Sequence, residues 1–163
     1  QKFDLPESLA DERIRDINLG FGGSIGDDRK PLIRSFGDAL TVRERKAGNS
    51  EEFDRYGSYA AWLMRCQAVV NDATLDGGYA VKNRVIEAGL AGCLLFEQQG
   101  SPTARWFEPG SDYIEYRHPL DVVKSLTVPM LAEVAAGIGE RLRRKVAEFH
   151  PSKFWARILG STT

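Results

Sequence analysis

The chain has 163 residues, 42% hydrophobic and 28% charged, which is enough for one domain with a sizeable core and unlike a disordered chain. Its net charge is −1, so bulk electrostatics give no case for nucleic acid as a partner. No apolar run approaches the roughly 20 residues that span a bilayer, and no signal peptide is visible. Residues 1–14 are polar and read as a lead-in. IRDINLGF (14–21) alternates Ile17, Leu19 and Phe21 and predicts a first strand. GGSIGDDRKP follows as a glycine-rich loop, and Pro31 opens a helix. LTVRER (40–45) predicts a second strand and KAGNSEEF a polar loop. A helix is expected from Ser58, then a short buried strand, QAVVND (67–72), and a second glycine-bearing loop, ATLDGGYA. Helix 82–91 and strand CLLFE (93–97) come next. A long loop with one helical turn near Thr103–Trp106 leads to a last strand, YIEY (113–116). Helices are predicted over 119–126 and about 130–148, with soft spots at Gly137 and Gly139, and again after Pro151.

Strands thus alternate with helices about five times. This is the pattern of an α/β fold, a Rossmann-like doubly wound parallel sheet with helices on both faces and a helical C-terminal tail. Ligands of such sheets sit outside the carboxyl ends of the strands, here Gly22–Asp28, Asp72–Val81 and Gln98–Thr103. The cysteines, Cys66 and Cys93, form no CxxC pair, and with His118 and His150 as the only histidines no zinc ligand set assembles. Both are expected to be buried, reduced thiols in a cytoplasmic protein. The basic run RLRRK (141–145) reads as a solvated helix face.

GFGGSIG (20–26) supports three readings. As a dinucleotide fingerprint it matches at Gly20 and Gly22 but has Ile25 at the third glycine. As a nucleophile elbow it contains Gly22-Gly23-Ser24-Ile25-Gly26, but DDRKP separates it from the next helix. The third reading is a loop whose backbone N–H groups face an anion, with Arg29 or Lys30 adding charge. VKNRVIE (81–87) puts Lys82 at a helix start and Arg84 in its first turn, a seat suited to a diphosphate. Glu87 on the same helix can accept two ribose hydroxyls; an Arg84–Glu87 ion pair on a solvated face is the simpler alternative. No D-x-D occurs. Asp27–Asp28 reads as a helix lead-in and His118, before Pro119, as a turn residue. Trp62, Trp106, Phe107, Phe154 and Trp155 read as core or interface anchors.

These segments together resemble the C-terminal, donor-binding half of glycosyltransferases with the GT-B fold, in the group 1 and CgeB-like families. The likeness runs over about residues 15–159. Its most specific part is GGYAVKNRVIEAGLAGCLLFEQQGSPTARWFEPGSDYIEYRHPLDVV, with a basic helix start, an arginine, a glutamate and a small-residue turn before a buried strand. INLGFGGSIGDDR resembles the first strand with its phosphate-facing loop, and FHPSKFWARIL the closing helix.

The resemblance implies metal-independent transfer of a sugar from a nucleoside-diphosphate sugar to an acceptor, of hexosyltransferase type and without a cofactor. Glu87 would hold ribose, and Lys82 and Arg84 would contact or orient the diphosphate. Gly23 and Ser24 would offer backbone N–H groups near the phosphates with Arg29 beside them. Gln98 to Thr103 would border the sugar. Residues 15–163 would form the donor domain, and an N-terminal acceptor domain, absent from this chain, would complete the enzyme. A start at Gln1 rather than Met agrees with a fragment, which alone would transfer no sugar. Two positions depart from the family pattern: Tyr79 where many members carry a further glutamate, and Asn83 where glycine is frequent. Tyr79 keeps open the alternative of a non-catalytic Rossmann-like module that binds a nucleotide or a protein.

Overall fold

The computed structural model describes residues 14–44, 56–72, 81–127 and 131–148. The lead-in through residue 13, the polar loop before α2, the second glycine loop with Tyr79, and the tail with His150, Phe154 and Trp155 lie outside them.

Five strands form one parallel sheet: β1 (Ile17–Gly23), β2 (Thr41–Glu44), β3 (Cys66–Asn71), β4 (Leu94–Gln98) and β5 (Ile114–Tyr116), in the order β2-β1-β3-β4-β5. The helices are α1 (Lys30–Ser35), α2 (Tyr56–Arg65), α3 (Asn83–Ala91), α4 (Pro119–Leu126) and α5 (Leu131–Glu148), with 3-10 turns at Gly37–Ala39 and Pro102–Arg105. The α/β expectation holds, and element boundaries agree with the sequence reading to within a few residues.

The central strands β3 and β4 are buried on both faces, which is why apolar residues stand side by side at Ala68–Val70 and Leu94–Phe96. One face carries Leu19, Phe21, Val70, Leu94 and Phe96 against α1 and α4. The other carries Val69 and Leu95 against Tyr59, Trp62 and Leu63 of α2 and Val85 and Ala88 of α3. Helix α5 contributes to both, with Ala135 and Ile138 in the first cluster and Leu142 and Val146 in the second.

This double duty follows from where α5 crosses. A Cβ on Gly139 would lie 2.5 Å from the carbonyl oxygen of Gly92, the left-handed residue that ends α3 just before β4. Gly139 is therefore a contact point in a continuous helix rather than a soft spot. Arg15 locks the same amino end of the sheet, donating to the carbonyls of Cys66, Ala91 (3.1 Å) and Gly92 (2.9 Å). No described helix is long and apolar enough to cross a membrane.

Candidate functional site

The chain leaves β1 for α1 on one face of the sheet and β3 for α3 on the other. Such divergence opens a crevice at the carboxyl ends of the two strands. The residues that gather there are Gly22 and Gly23 of β1, Arg29 before α1, Asn71 and Asp72 at the end of β3, and Lys82 and Arg84 at the start of α3.

Asp72 sits at the centre. Its side chain is 1% exposed. Arg29 Nε donates to Oδ2 at 2.8 Å, while Lys82 Nζ and Arg84 approach Oδ1 at 3.3 and 3.4 Å. Lys82 also donates to the Asp72 carbonyl at 2.6 Å. A buried carboxylate is tolerated only when paired and hydrogen-bonded, and here three cations from two segments meet it. Burial lowers the Lys82 pKa, with Asp72 acting against that shift. Arg84 is also lowered by burial.

Arg84 is turned inward. Its Nε donates to the Gly22 carbonyl at 2.8 Å, another guanidinium nitrogen donates to Asn71 Oδ1 at 2.8 Å, and the group lies 4.2 Å over the Phe21 ring. The Arg84–Glu87 surface pair is thus not the arrangement found. Glu87 instead accepts from the Tyr59 hydroxyl at 3.2 Å. Tyr59 reaches it by lying on β1: a Cβ on Gly22 would sit 2.6 Å from the tyrosine ring. Glu87 and the cations therefore border the same strand end.

A second layer lies behind Asn71. Asn71 and Glu97 are partners in the β3–β4 register, and Asn71 Nδ2 lies 3.1 and 2.8 Å from the two Glu97 oxygens. Glu97 is fully buried, which raises its pKa, while hydrogen bonds from Ser101 and Asn71 lower it. Tyr116 at the end of β5 donates to the Asn71 carbonyl at 2.9 Å.

The residues singled out from sequence fall into two groups. Gly23, Arg29, Lys82, Arg84 and Glu87 come together. Gly23 has φ +142°, and a Cβ there would meet an Arg84 nitrogen at 2.5 Å, so only glycine fits beside the guanidinium. Ser24 follows β1, is exposed, and accepts at its carbonyl from Arg29 at 3.0 Å. Gln98 ends β4 half-buried. Thr103 is different: it is fully buried, and its hydroxyl accepts from Ser101, the cap of the 3-10 turn, at 3.0 Å. Lys30 pairs instead with exposed Asp27 at 2.7 Å.

The glycine pattern needs correction. Gly22 and Gly23 belong to β1, not to the loop, which begins at Ser24. Gly20 and Gly22 are small because α2 lies against them; a Cβ on Gly20 would meet Cys66 Sγ at 2.6 Å and Trp62 at 2.9 Å. A nucleophile elbow is not formed, since a turn over residues 27–29 separates Ser24 from α1. His118 caps α4 in a capping box with Asp121. Trp62 and Phe107 are core residues, but Trp106 is 60% exposed. The RLRRK run is only partly a solvated face: Arg143 and Arg144 pair with Glu140, while Arg141 and Lys145 tie α5 to Ser111 and Asp112.

Sequence reasoning passed over Asp72, Asn71, Glu97 and Tyr59. The usable signal was a polar pair, Asn-Asp, closing an apolar strand in a parallel sheet, the place where ligand-facing side chains emerge.

Comparison with known proteins agrees with this architecture. The crystal structure of TarM superposes with a TM-score of 0.61 at 12% identity; the match covers 94% of this chain and 36% of that one, so this chain spans about a third of its length. A search of curated protein sequences found no match. Residues 28–160 match the glycosyl transferase-like family. That match runs from the β1–α1 turn to residue 160, and the chain belongs to the glycosyl transferase-like family.

Proposed function

We propose that the chain is the donor-binding half of a GT-B glycosyltransferase, and that the crevice at the ends of β1 and β3 takes the nucleoside diphosphate of a nucleotide sugar. The observation that carries this reading is the cluster of Arg29, Lys82 and Arg84 around buried Asp72, one helical turn from Glu87. Three cations gathered at one strand end suit a diphosphate.

Arg29 and Lys82 are the more accessible cations, at 21% and 32%, and contact the phosphates. Arg84, at 11%, holds the Gly22 carbonyl and Asn71 in place behind them. Glu87, steadied by Tyr59, accepts the ribose hydroxyls. The loop from Gln98 borders the sugar. Charge on the departing diphosphate is offset by side chains and the α3 amino terminus, so the reaction we assign is metal-independent and of hexosyltransferase type.

The acceptor and any general base belong to a second domain of a longer polypeptide, and closure of the cleft between halves excludes water. This segment alone transfers no sugar. A cytoplasmic setting suits its two free, buried cysteines.

Calorimetric titration with UDP, GDP and dTDP tests the reading. Binding in the micromolar-to-millimolar range to at least one of them, lost in Glu87→Ala, is the expected result. Absence of heat with all three, from protein of native circular dichroism, overturns it.

A further inference from the structure

Asp72 itself is too buried to meet a ligand, yet Arg29, Lys82 and Arg84 all pair with it. Arg29 comes from the loop before α1, and Lys82 and Arg84 come from α3, so the carboxylate joins segments that leave the sheet on opposite faces. Arg29 and Lys82 keep part of their side-chain surface exposed, 21% and 32%, while Asp72 is 1% exposed. Cationic side chains on long stems lose much rotamer freedom when held in one place. A buried counter-charge meets that cost before any ligand arrives.

We propose that Asp72 is a positioning residue, a buried clamp that presets the cations of the crevice for a diphosphate and fastens the β1–α1 loop to the start of α3. The proposal rests on the reading of the crevice as a nucleoside diphosphate site.

It makes a prediction opposite to simple charge counting. Removing a negative charge beside an anion site should tighten anion binding if Asp72 only offsets charge. If Asp72 positions the cations, its removal weakens binding. The groups around Lys82 are Arg29, Arg84, Asp72 and Glu97. Burial and both arginines lower the Lys82 pKa, and Asp72 acts against that shift. Without Asp72 the lysine gives up its proton at lower pH, so the loss relative to wild type widens as pH rises.

The test uses the full chain with inorganic pyrophosphate and UDP, GDP and dTDP as probes, titrated calorimetrically between about pH 6.5 and 9 for wild type, Asp72→Asn and Asp72→Glu. Asp72→Asn should bind about tenfold or more weakly, with the ratio to wild type growing with pH. Asp72→Glu, which keeps the charge but displaces it by one methylene, should also bind more weakly, without the pH trend; it serves if the asparagine variant does not fold. Wild-type or tighter binding by either folded variant overturns the clamp while leaving the nucleotide reading in place. A wild type that binds pyrophosphate but no nucleoside diphosphate refutes the nucleotide reading alone. A wild type that binds none of the probes overturns both.

Discussion

Two glycines two residues apart in α5 should respond to alanine with opposite signs. Alanine favours a helix interior over glycine by about 0.8–1.0 kcal/mol. At Gly137 nothing opposes that gain: the residue is exposed, and the nearest atom to an added Cβ is a terminal nitrogen of Arg141 at 4.0 Å. Gly137→Ala should therefore stabilise by about 0.5–1 kcal/mol. At Gly139 the added Cβ would lie 2.5 Å from Gly92 O, 3.0 Å from Gly92 C and 3.1 Å from Cys93 C. All three are backbone atoms, so no rotamer change relieves the clash. The opposing segment is also fixed, since Gly92 N–H donates to Gly89 at 2.9 Å and Cys93 N–H to Ala88 at 3.0 Å. Helix α5 must lift from the sheet, loosening Ile138, Leu142 and Val146, all of them buried. Overpacking of this kind costs about 1–3 kcal/mol, which offsets the propensity gain and leaves a net loss of up to about 2 kcal/mol. The variants should stand about 2 kcal/mol apart in urea unfolding followed by far-UV circular dichroism. That is roughly 4–8 °C in Tm for a chain of this size. A Gly139→Ala protein as stable as Gly137→Ala would refute the close crossing of α5 under β4.

Glu97 should make stability depend on pH. Its folded pKa is raised from 4.5 chiefly by burial, so its contribution to stability is full below that value and is lost as pH rises through the raised one. Urea midpoints measured against pH should fall through that window in wild type and be flatter in Glu97→Gln. Arg15→Leu should destabilise by about 2 kcal/mol in the same assay, because the carbonyls of Cys66, Ala91 and Gly92 lose a charged donor. Both cysteines should resist an aromatic disulfide reagent at pH 8 until denaturant is added. They are fully buried, and burial pushes the Cys66 thiol up to about 12; rapid titration of either in native protein would refute this.

The elements were legible because each obeys a local rule. Strands β3 and β4 centre on short apolar runs, Ala68–Val70 and Leu94–Phe96, α3 ends at a glycine in the left-handed conformation, and α4 begins at Pro119 behind a capping residue. Lys82, Arg84 and Glu87 were legible because they share one helix, or its cap, and hence one end of the sheet. What stayed hidden was non-local. Asp72 meets Arg29 across 43 positions of sequence, and an aspartate closing a strand looks like a turn residue until its partners are seen. Tyr59 and Glu87 are 28 positions apart and meet only because α2 and α3 lie side by side. The roles of the β1 glycines were hidden for the same reason. Their spacing resembled a phosphate fingerprint, whereas two of them exist to admit rings and a thiol from a helix and strand some 40 positions later.

The same glycines also explain how the site holds together. The last two residues of β1 serve both sides of the crevice. Gly22 lacks a Cβ where the Tyr59 ring lies, and Tyr59 in turn fixes Glu87. The carbonyl of the same Gly22 accepts from Arg84, and the space a Cβ would fill on Gly23 is occupied by the Arg84 guanidinium. Arg84 then reaches Asn71 and Asp72, and through Asp72 the other two cations. Glu87 and the cations are thus both registered to one strand end. A side chain at Gly22 should disturb Glu87 first, and one at Gly23 should disturb the cations first. Two adjacent backbone positions therefore control separable parts of one site.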